Sequence, residues 1–181
     1  SLMILDEHMD SGPLLVQKTL PIQDTDTKES LEIALAKFAS SLLLEILPGF
    51  IAQKIKPQEQ NHRNATYSKI LSKEDGKIDW KNSDEQIARH VRAFSPWPST
   101  CTVWQEKKQQ IIIHKTSFAE AKIQPAGLKN GTIQILTQKK IGVVTGEGYL
   151  ILEKLQIAGK KPLNIDEFVR GQPNFSGGHL I

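Results

Sequence analysis

The run of apolar and polar positions along the chain breaks into stretches of different period. Leu2 to Leu5 is a short apolar run with the length of a buried strand. The polar turn Asp6-Glu7-His8-Met9-Asp10-Ser11-Gly12-Pro13 separates it from a second strand, Leu14 to Ile22, whose Leu14, Val16, Leu20 and Ile22 share one face. Asp26 and Glu29 have the spacing of a helix-capping pair. Behind them Leu31, Leu35, Phe38, Leu42 and Ile46 recur at helical intervals until Pro48-Gly49 ends the pattern. Strand, loop, strand and helix are too little to close a core, so this stretch reads as the tail of a larger α/β unit.

Residues 53–66 are polar apart from Ile55 and read as an extended linker. Beyond them Ser83 and Gln86 form a capping box, with Ile87, Val91 and Phe94 as the apolar stripe of the helix and Ser95-Pro96-Trp97-Pro98 as its stop. The period then shortens. Five strands are predicted, at Thr100–Gln105, Gln110–Phe118, Gly131–Thr137, Ile141–Thr145 and Tyr149–Ile157, separated by turn-like breaks. Such spacing predicts a small Greek-key barrel of the oligonucleotide-binding (OB) kind, or a sandwich. Ile111, Ile113, Ile133, Ile135, Val143 and Leu150 would supply the core, and a last helix starts at Asn164 with Glu167 as its capping partner. The predicted fold class is therefore α+β overall. Its predicted segments are 1–52, a linker at 53–66, and 67–181.

Composition changes this picture little; charge changes it more. Hydrophobic residues are 39% and charged ones 24%, the balance of a soluble globular protein. No uninterrupted run of about 18 apolar residues exists, which on that rule excludes a membrane span, and no basic, apolar secretory leader opens the sequence. The single cysteine, Cys101, cannot form an intrachain disulfide and reads as a small buried residue in a reducing compartment. Residues 1–60 carry 5 Lys/Arg against 9 Asp/Glu, a balance of −4, and residues 61–181 carry 18 against 11, +7, together the chain's +3. A basic second half is drawn to polyanions.

Asp10 is the outstanding candidate for chemistry. It sits in a turn between two strands beside Gly12, where a carboxylate can orient a histidine or a water, although capping the turn is the plainer role for an Asp there. His8, His62, His90, His114 and His179 show no metal-ligand spacing, and no phosphate loop or nucleophile elbow is present. No metal is expected. Lys69, Lys73 and Lys77 follow the linker; Arg89 and Arg92 lie on the polar side of the Ser83 helix; Lys107-Lys108, Lys139-Lys140 and Lys160-Lys161 occupy predicted turns. Basic residues so placed can contact phosphates without reading sequence, unless they are simply solvated.

Four stretches carry a resemblance. Leu5 to Leu14 is similar to the Met-Asp-x-x-Leu-Asp-Thr-Gly turn of folate-dependent formyltransferases. Tyr67 to Trp80 and Val91-Arg92-Ala93-Phe94-Ser95-Pro96-Trp97-Pro98 resemble bacterial methionyl-tRNA formyltransferases, as does Ala158-Gly159-Lys160-Lys161-Pro162 followed by Phe168 and Gly171. The resemblance implies the end of an α/β, Rossmann-like catalytic domain at 1–52 and an OB-like tRNA-binding barrel at 67–181, with a helix before the barrel. It implies a cytoplasmic enzyme of translation initiation that moves a formyl group from 10-formyltetrahydrofolate to the amino group of methionyl initiator tRNA, with no membrane partner.

On the same resemblance Asp10 is the aspartate of an Asn, His and Asp triad. Lys69, Lys73, Lys77, Arg89, Arg92, Lys160 and Lys161 become candidates for tRNA contact. Ser11 stands where Thr is usual and Met9 where Leu is usual; Ile70 takes a place often held by Lys. The triad Asn and His and a Ser-Leu-Leu-Pro segment are expected before residue 1, so the chain by itself is expected to be inactive. Two other readings are a stand-alone nucleic-acid-binding barrel with residues 1–50 as a dimerising arm, and a sugar-nucleotide formyltransferase. The basic second half and Val91–Pro98 favour the tRNA enzyme.

Overall fold

A computed structural model describes residues 1–118, 127–137 and 140–181; Lys139 of the predicted turn pair lies outside them. Packing contacts divide the chain into Ser1–Ile70 and Leu71–Ile181. In the first unit β1 (Leu2–Met3) pairs antiparallel with β2 (Leu14–Val16). Strand β2 is shorter than its alternation predicts, because the residues beyond Val16 find no ladder partner. The polar segment after the helix is not a free tether. Leu14 and Gln58 exchange backbone hydrogen bonds of 2.7 and 2.8 Å, so it joins the far side of β2.

Helix α1 (Lys28–Ile51) departs from expectation at both ends. Its cap is Thr27, whose hydroxyl accepts from Ser30 N (3.1 Å) while Ser30 Oγ accepts from Thr27 N (3.0 Å). Asp26 instead ties the turn before the helix, accepting from Gln23 N (2.8 Å) and from Ser30 Oγ (2.8 Å). Those donors hold its carboxyl below the ordinary range, the Gln23 N–H foremost. Pro48 does not end the helix either. A proline removes one donor, and this one falls in the last turn, where Ala52 N still donates to Pro48 O (3.0 Å).

Of the predicted stripe on α1, Leu42 is buried, Leu31, Phe38 and Ile46 are half-buried, and Leu35 is exposed. By length and composition α1 could cross a membrane, which corrects the exclusion drawn from uninterrupted runs. Lys37 and Glu45 fall inside it, however, and Glu45 pairs with Lys18 at 2.8 Å, an arrangement costly within lipid.

The second unit opens with the 3-10 turn Lys73–Gly76 and α2 (Asp84–Phe94), capped by the predicted Ser83–Gln86 box. Its strands are β3 (Thr100–Trp104), β4 (Gln109–Phe118), β5 (Ile133–Thr137), β6 (Lys140–Val144), β7 (Tyr149–Ile157) and the unforeseen β8 (Leu163–Asn164), followed by α3 (Ile165–Gly171). All pairs are antiparallel, in the order β3-β4-β7-β6-β5, with β8 added to β7. Among the described residues this is a six-stranded sheet whose ladder does not close into the predicted barrel. The gap between β3 and β5 is filled by the C-terminal segment through isolated bridges, Trp104 with Leu180 and Thr132 with His179. The segment Gly177–Ile181 bonds to Val103 and Gln105 on one side and to Gly131 and Ile133 on the other.

Ile111, Ile113, Ile133, Val143 and Leu150 are buried as predicted, beneath Ile87 and Val91 of α2 and Phe168 of α3. Ile135 is 62% exposed, against expectation. It shares the face of Ile133, but it overhangs an open groove of about 490 Å³ with Ile141, Val169 and Pro173. Trp104 and Phe175 meet edge to face at 5.2 Å, and Phe168 and Phe175 at 4.9 Å. One buried polar chain crosses this core. Trp80 Nε1 donates to Thr102 Oγ1 (3.0 Å), which donates to Ile181 O (2.9 Å).

Candidate functional site

The turn between β1 and β2 is built around two carboxylates with different duties. Asp6 faces inward along the turn: Ser11 Oγ donates to both of its oxygens (2.7 and 2.8 Å) and His8 N to one (2.9 Å). The Ser11 hydroxyl first, then the His8 N–H, holds the Asp6 carboxyl below its ordinary range, with His8 and His62 adding smaller attractions. A hydroxyl at position 11 is therefore what the turn requires, and Ser supplies it as Thr would.

Asp10 is the other, and among the described residues its carboxylate oxygens receive no hydrogen bond; the bond it accepts is on its backbone carbonyl. Its backbone is left-handed, φ 55°, a conformation that costs a residue other than glycine about 1 kcal/mol and persists where the surroundings impose it. Gly12 is part of that imposition. A Cβ there would stand 1.7 Å from Ile4 O, so only glycine lets the returning strand pass this close.

The other part is Gln60. Its Nε2 donates to Asp10 O (2.9 Å) and to Gly12 O (2.7 Å), with Met3 Sδ at 3.9 Å. A cavity of about 550 Å³ opens beside the turn, lined by Met9, Asp10 and Ser11 and by Gln60, His62 and Tyr67 among others. The 3-10 turn His62–Asn64 carries part of that wall, with Asn61 as its cap. The arrangement presents an unpaired carboxylate, able to accept a proton or orient a donor, at the mouth of a polar hollow. Sequence reasoning singled out Asp10 as a candidate and did not single out Gln60 or Asp6. The signal for Asp6 was the hydroxyl residue five positions on; Gln60 lies fifty positions away and left none.

The basic residues are placed less sharply. Lys69 is exposed in the first unit, which ends at Ile70. In the second, Lys73 and Lys77 bound the 3-10 turn, and Glu74 bonds Lys77 at 2.5 Å, holding its ammonium above the ordinary lysine range. Both side chains of that pair are well exposed, so the pair is weak and yields readily. His90 Nε2 donates to Asp75 O (2.8 Å), joining the 3-10 turn to α2. Arg89 and Arg92 stand three apart on that helix, Arg89 at 3.6 Å from Glu85. Lys160 and Lys161 are exposed in the β7–β8 turn. The described residues hold no cluster of His, Cys, Asp and Glu able to bind a metal.

A family described as formyl transferase, C-terminal domain, matches residues 70–173. The chain is 34% identical over 181 residues to the methionyl-tRNA formyltransferase of Roseiflexus castenholzii, covering all of this chain and 56% of that one. It is 32% identical over 171 residues to the methionyl-tRNA formyltransferase of Streptococcus pyogenes serotype M1, covering 94% and 53%. It thus spans about half the length of the curated relatives it matches. Among solved structures, HypX from Aquifex aeolicus in complex with tetrahydrofolic acid superposes with a TM-score of 0.66 at 16% identity, covering 92% of this chain and 29% of that one. The sugar 3N-formyl transferase WlaRD does so with a TM-score of 0.59 at 20% identity, covering 88% and 54%. At such identities these two speak for the fold alone. With the family match running over more than half of its residues, from the end of the first unit through β8 and α3, the chain belongs to the formyl transferase C-terminal domain family.

Proposed function

We propose that residues 1–181 are the C-terminal part of a methionyl-tRNA formyltransferase, with 1–52 the end of the catalytic domain, 53–66 a linker and 67–181 an OB-like domain that grips tRNA. The observation that carries this reading is the Asp10 turn: a left-handed aspartate, its carboxylate unpaired among the described residues and lining a cavity, in a turn tied by Asp6 and Ser11. Identity to the named relatives across both units supports it. So does the apolar surface of α1, which calls for cover by more protein. The segment Gly177–Ile181, bridged to Trp104 of β3 on one side and to Thr132 before β5 on the other, supports the OB-like reading of the sheet.

In this reading the amino group of methionyl initiator tRNA attacks the formyl carbonyl of 10-formyltetrahydrofolate. A new C–N bond forms, the bond from the formyl carbon to N10 breaks, and a proton passes from the amine to the folate nitrogen. Asp10 orients the histidine of the triad and assists that transfer through a water, while the histidine and asparagine stabilise the oxyanion. The basic side chains at Lys69, Lys73, Lys77, Arg89, Arg92, Lys160 and Lys161 hold tRNA phosphates. The setting is cytoplasmic translation initiation.

The test is formyl transfer by the complete natural polypeptide, with and without Asp10→Ala. The variant is expected to lower kcat by about 10²–10⁴-fold with little change in KM, as for a group acting in the transition state. Unchanged turnover in the variant refutes the role of Asp10. Transfer to an amino-sugar nucleotide in place of methionyl-tRNA refutes the substrate.

A further inference from the structure

We infer that Gln60 is a positioning residue for Asp10, so that the segment after α1 sets the geometry of the carboxylate as well as tethering two units. The inference rests on the function proposed above. Its basis is the bond pattern: one amide nitrogen spends both of its N–H groups on Asp10 O (2.9 Å) and Gly12 O (2.7 Å). These two carbonyls flank the peptide units that follow the left-handed Asp10, so the bridge fixes the twist that sends the carboxylate outward. Among the described residues no backbone bond does this work. The nearest are Ile4 N to Pro13 O (2.9 Å) and the exchange between Leu14 and Gln58, both beyond the turn's apex.

Gln60 is half-buried and itself lines the cavity, so it is held within the site rather than swinging in solvent. Its chain is anchored on both sides, by the Gln58–Leu14 bonds and by the Asn61-capped 3-10 turn. Asp6 and Ser11 brace the turn from within, and Gln60 braces it from outside. The side chain needs its length and two donors. Glu has the length but offers carboxylate oxygens to two carbonyls, and Leu has the bulk but no donor.

The experiment is a kinetic cycle on the complete natural polypeptide: wild type, Gln60→Leu, Asp10→Ala and the double variant, each assayed for kcat and KM in formyl transfer. Gln60→Leu is expected to lower kcat about 10–100-fold with KM within threefold, since a misplacement of about 1 Å can cost roughly 10²-fold. In the Asp10→Ala background the same change is expected to cost less than twofold, because the group it positions is gone. A purely structural role would lower the rate in both backgrounds alike, and that result overturns the inference. Normal kcat in Gln60→Leu also overturns it while leaving Asp10 untouched. If Asp10→Ala itself is fully active, the proposed function fails first and the inference with it. Should Gln60→Leu unfold, Gln60→Glu carries the same test with the side-chain shape kept, and equal losses in both backgrounds again refute.

Discussion

Replacing Thr102 by Val exchanges a hydroxyl for a methyl of similar shape at the middle of the Trp80–Thr102–Ile181 chain. Both Trp80 and Thr102 are nearly fully buried, so no water reaches the indole N–H once its acceptor is gone. A buried donor left unpaired costs about 1–3 kcal/mol. Ile181 O is not orphaned, because Val103 N still donates to it at 2.9 Å. Burying the new methyl returns about 0.8 kcal/mol. The net expectation is a loss of about 0.2–2 kcal/mol, or up to roughly 12 °C in Tm for a unit of this size. Tryptophan fluorescence during urea or thermal unfolding reads it cleanly, since Trp80, Trp97 and Trp104 all lie in Leu71–Ile181. In a Trp80→Phe background the same substitution should cost about 1 kcal/mol less, because the donor that suffers is absent. Equal losses in the two backgrounds would refute the account, as would a Thr102→Val protein as stable as the parent.

Three further outcomes are expected. Gly12→Ala should open the β1–β2 pairing, since its methyl collides with Ile4 O; faster amide exchange at Ile4, which donates to Pro13 O, is the readout, and unchanged exchange counts against the close approach. Ser11→Ala should raise the Asp6 pKa toward the ordinary carboxylate value, read by NMR titration. Because the native pKa is depressed, any stability Asp6 lends is present above its unfolded pKa and fades as pH falls through the folded one, and the variant should lose that acid-side dependence. Changing Lys160 and Lys161 together to Ala should flatten the salt dependence of tRNA binding by roughly 0.7–0.9 in log K per decade of salt for each phosphate no longer neutralised. Preference between initiator and elongator tRNA should not change, and a salt slope that stays the same would remove these two lysines from the tRNA-binding surface.

Much of the second unit was legible because its signals are local. Ser83 and Gln86 sit one helical turn apart, Asn164 and Glu167 likewise, and both caps form where their spacing puts them. Strand alternation marked Ile111, Ile113, Ile133, Val143 and Leu150 for the core, and failed at Ile135, where the sheet outruns the helices that would cover it. The first unit was harder. Thr27 and Ser30 won the cap from Asp26 because two hydroxyls can serve each other's backbone, a contest spacing does not decide. Pro48 was overruled because a proline near a helix end forfeits only one bond. At the candidate site Asp10 stood out by its place in a turn between two strands, beside Gly12. Gln60 did not, since its partners are main-chain carbonyls, which leave no side-chain pattern to read.

The way Gly177–Ile181 lies between Val103 and Ile133 also constrains when this unit can finish folding. Thr102 and Ile181, joined by one hydrogen bond, are 79 positions apart. At translation rates of about 5–20 residues per second, the strand holding Thr102 waits roughly 4–16 s for the segment that bridges it to β5. During that interval the outer edges of β3 and β5 carry unpaired backbone groups, the condition in which nascent sheets recruit wrong partners. Pairings of such long range are also the slow ones to form. Gly177–Ile181 thus act as a late seal on the sheet, and the rate of their docking sets how long the edges of β3 and β5 stay open.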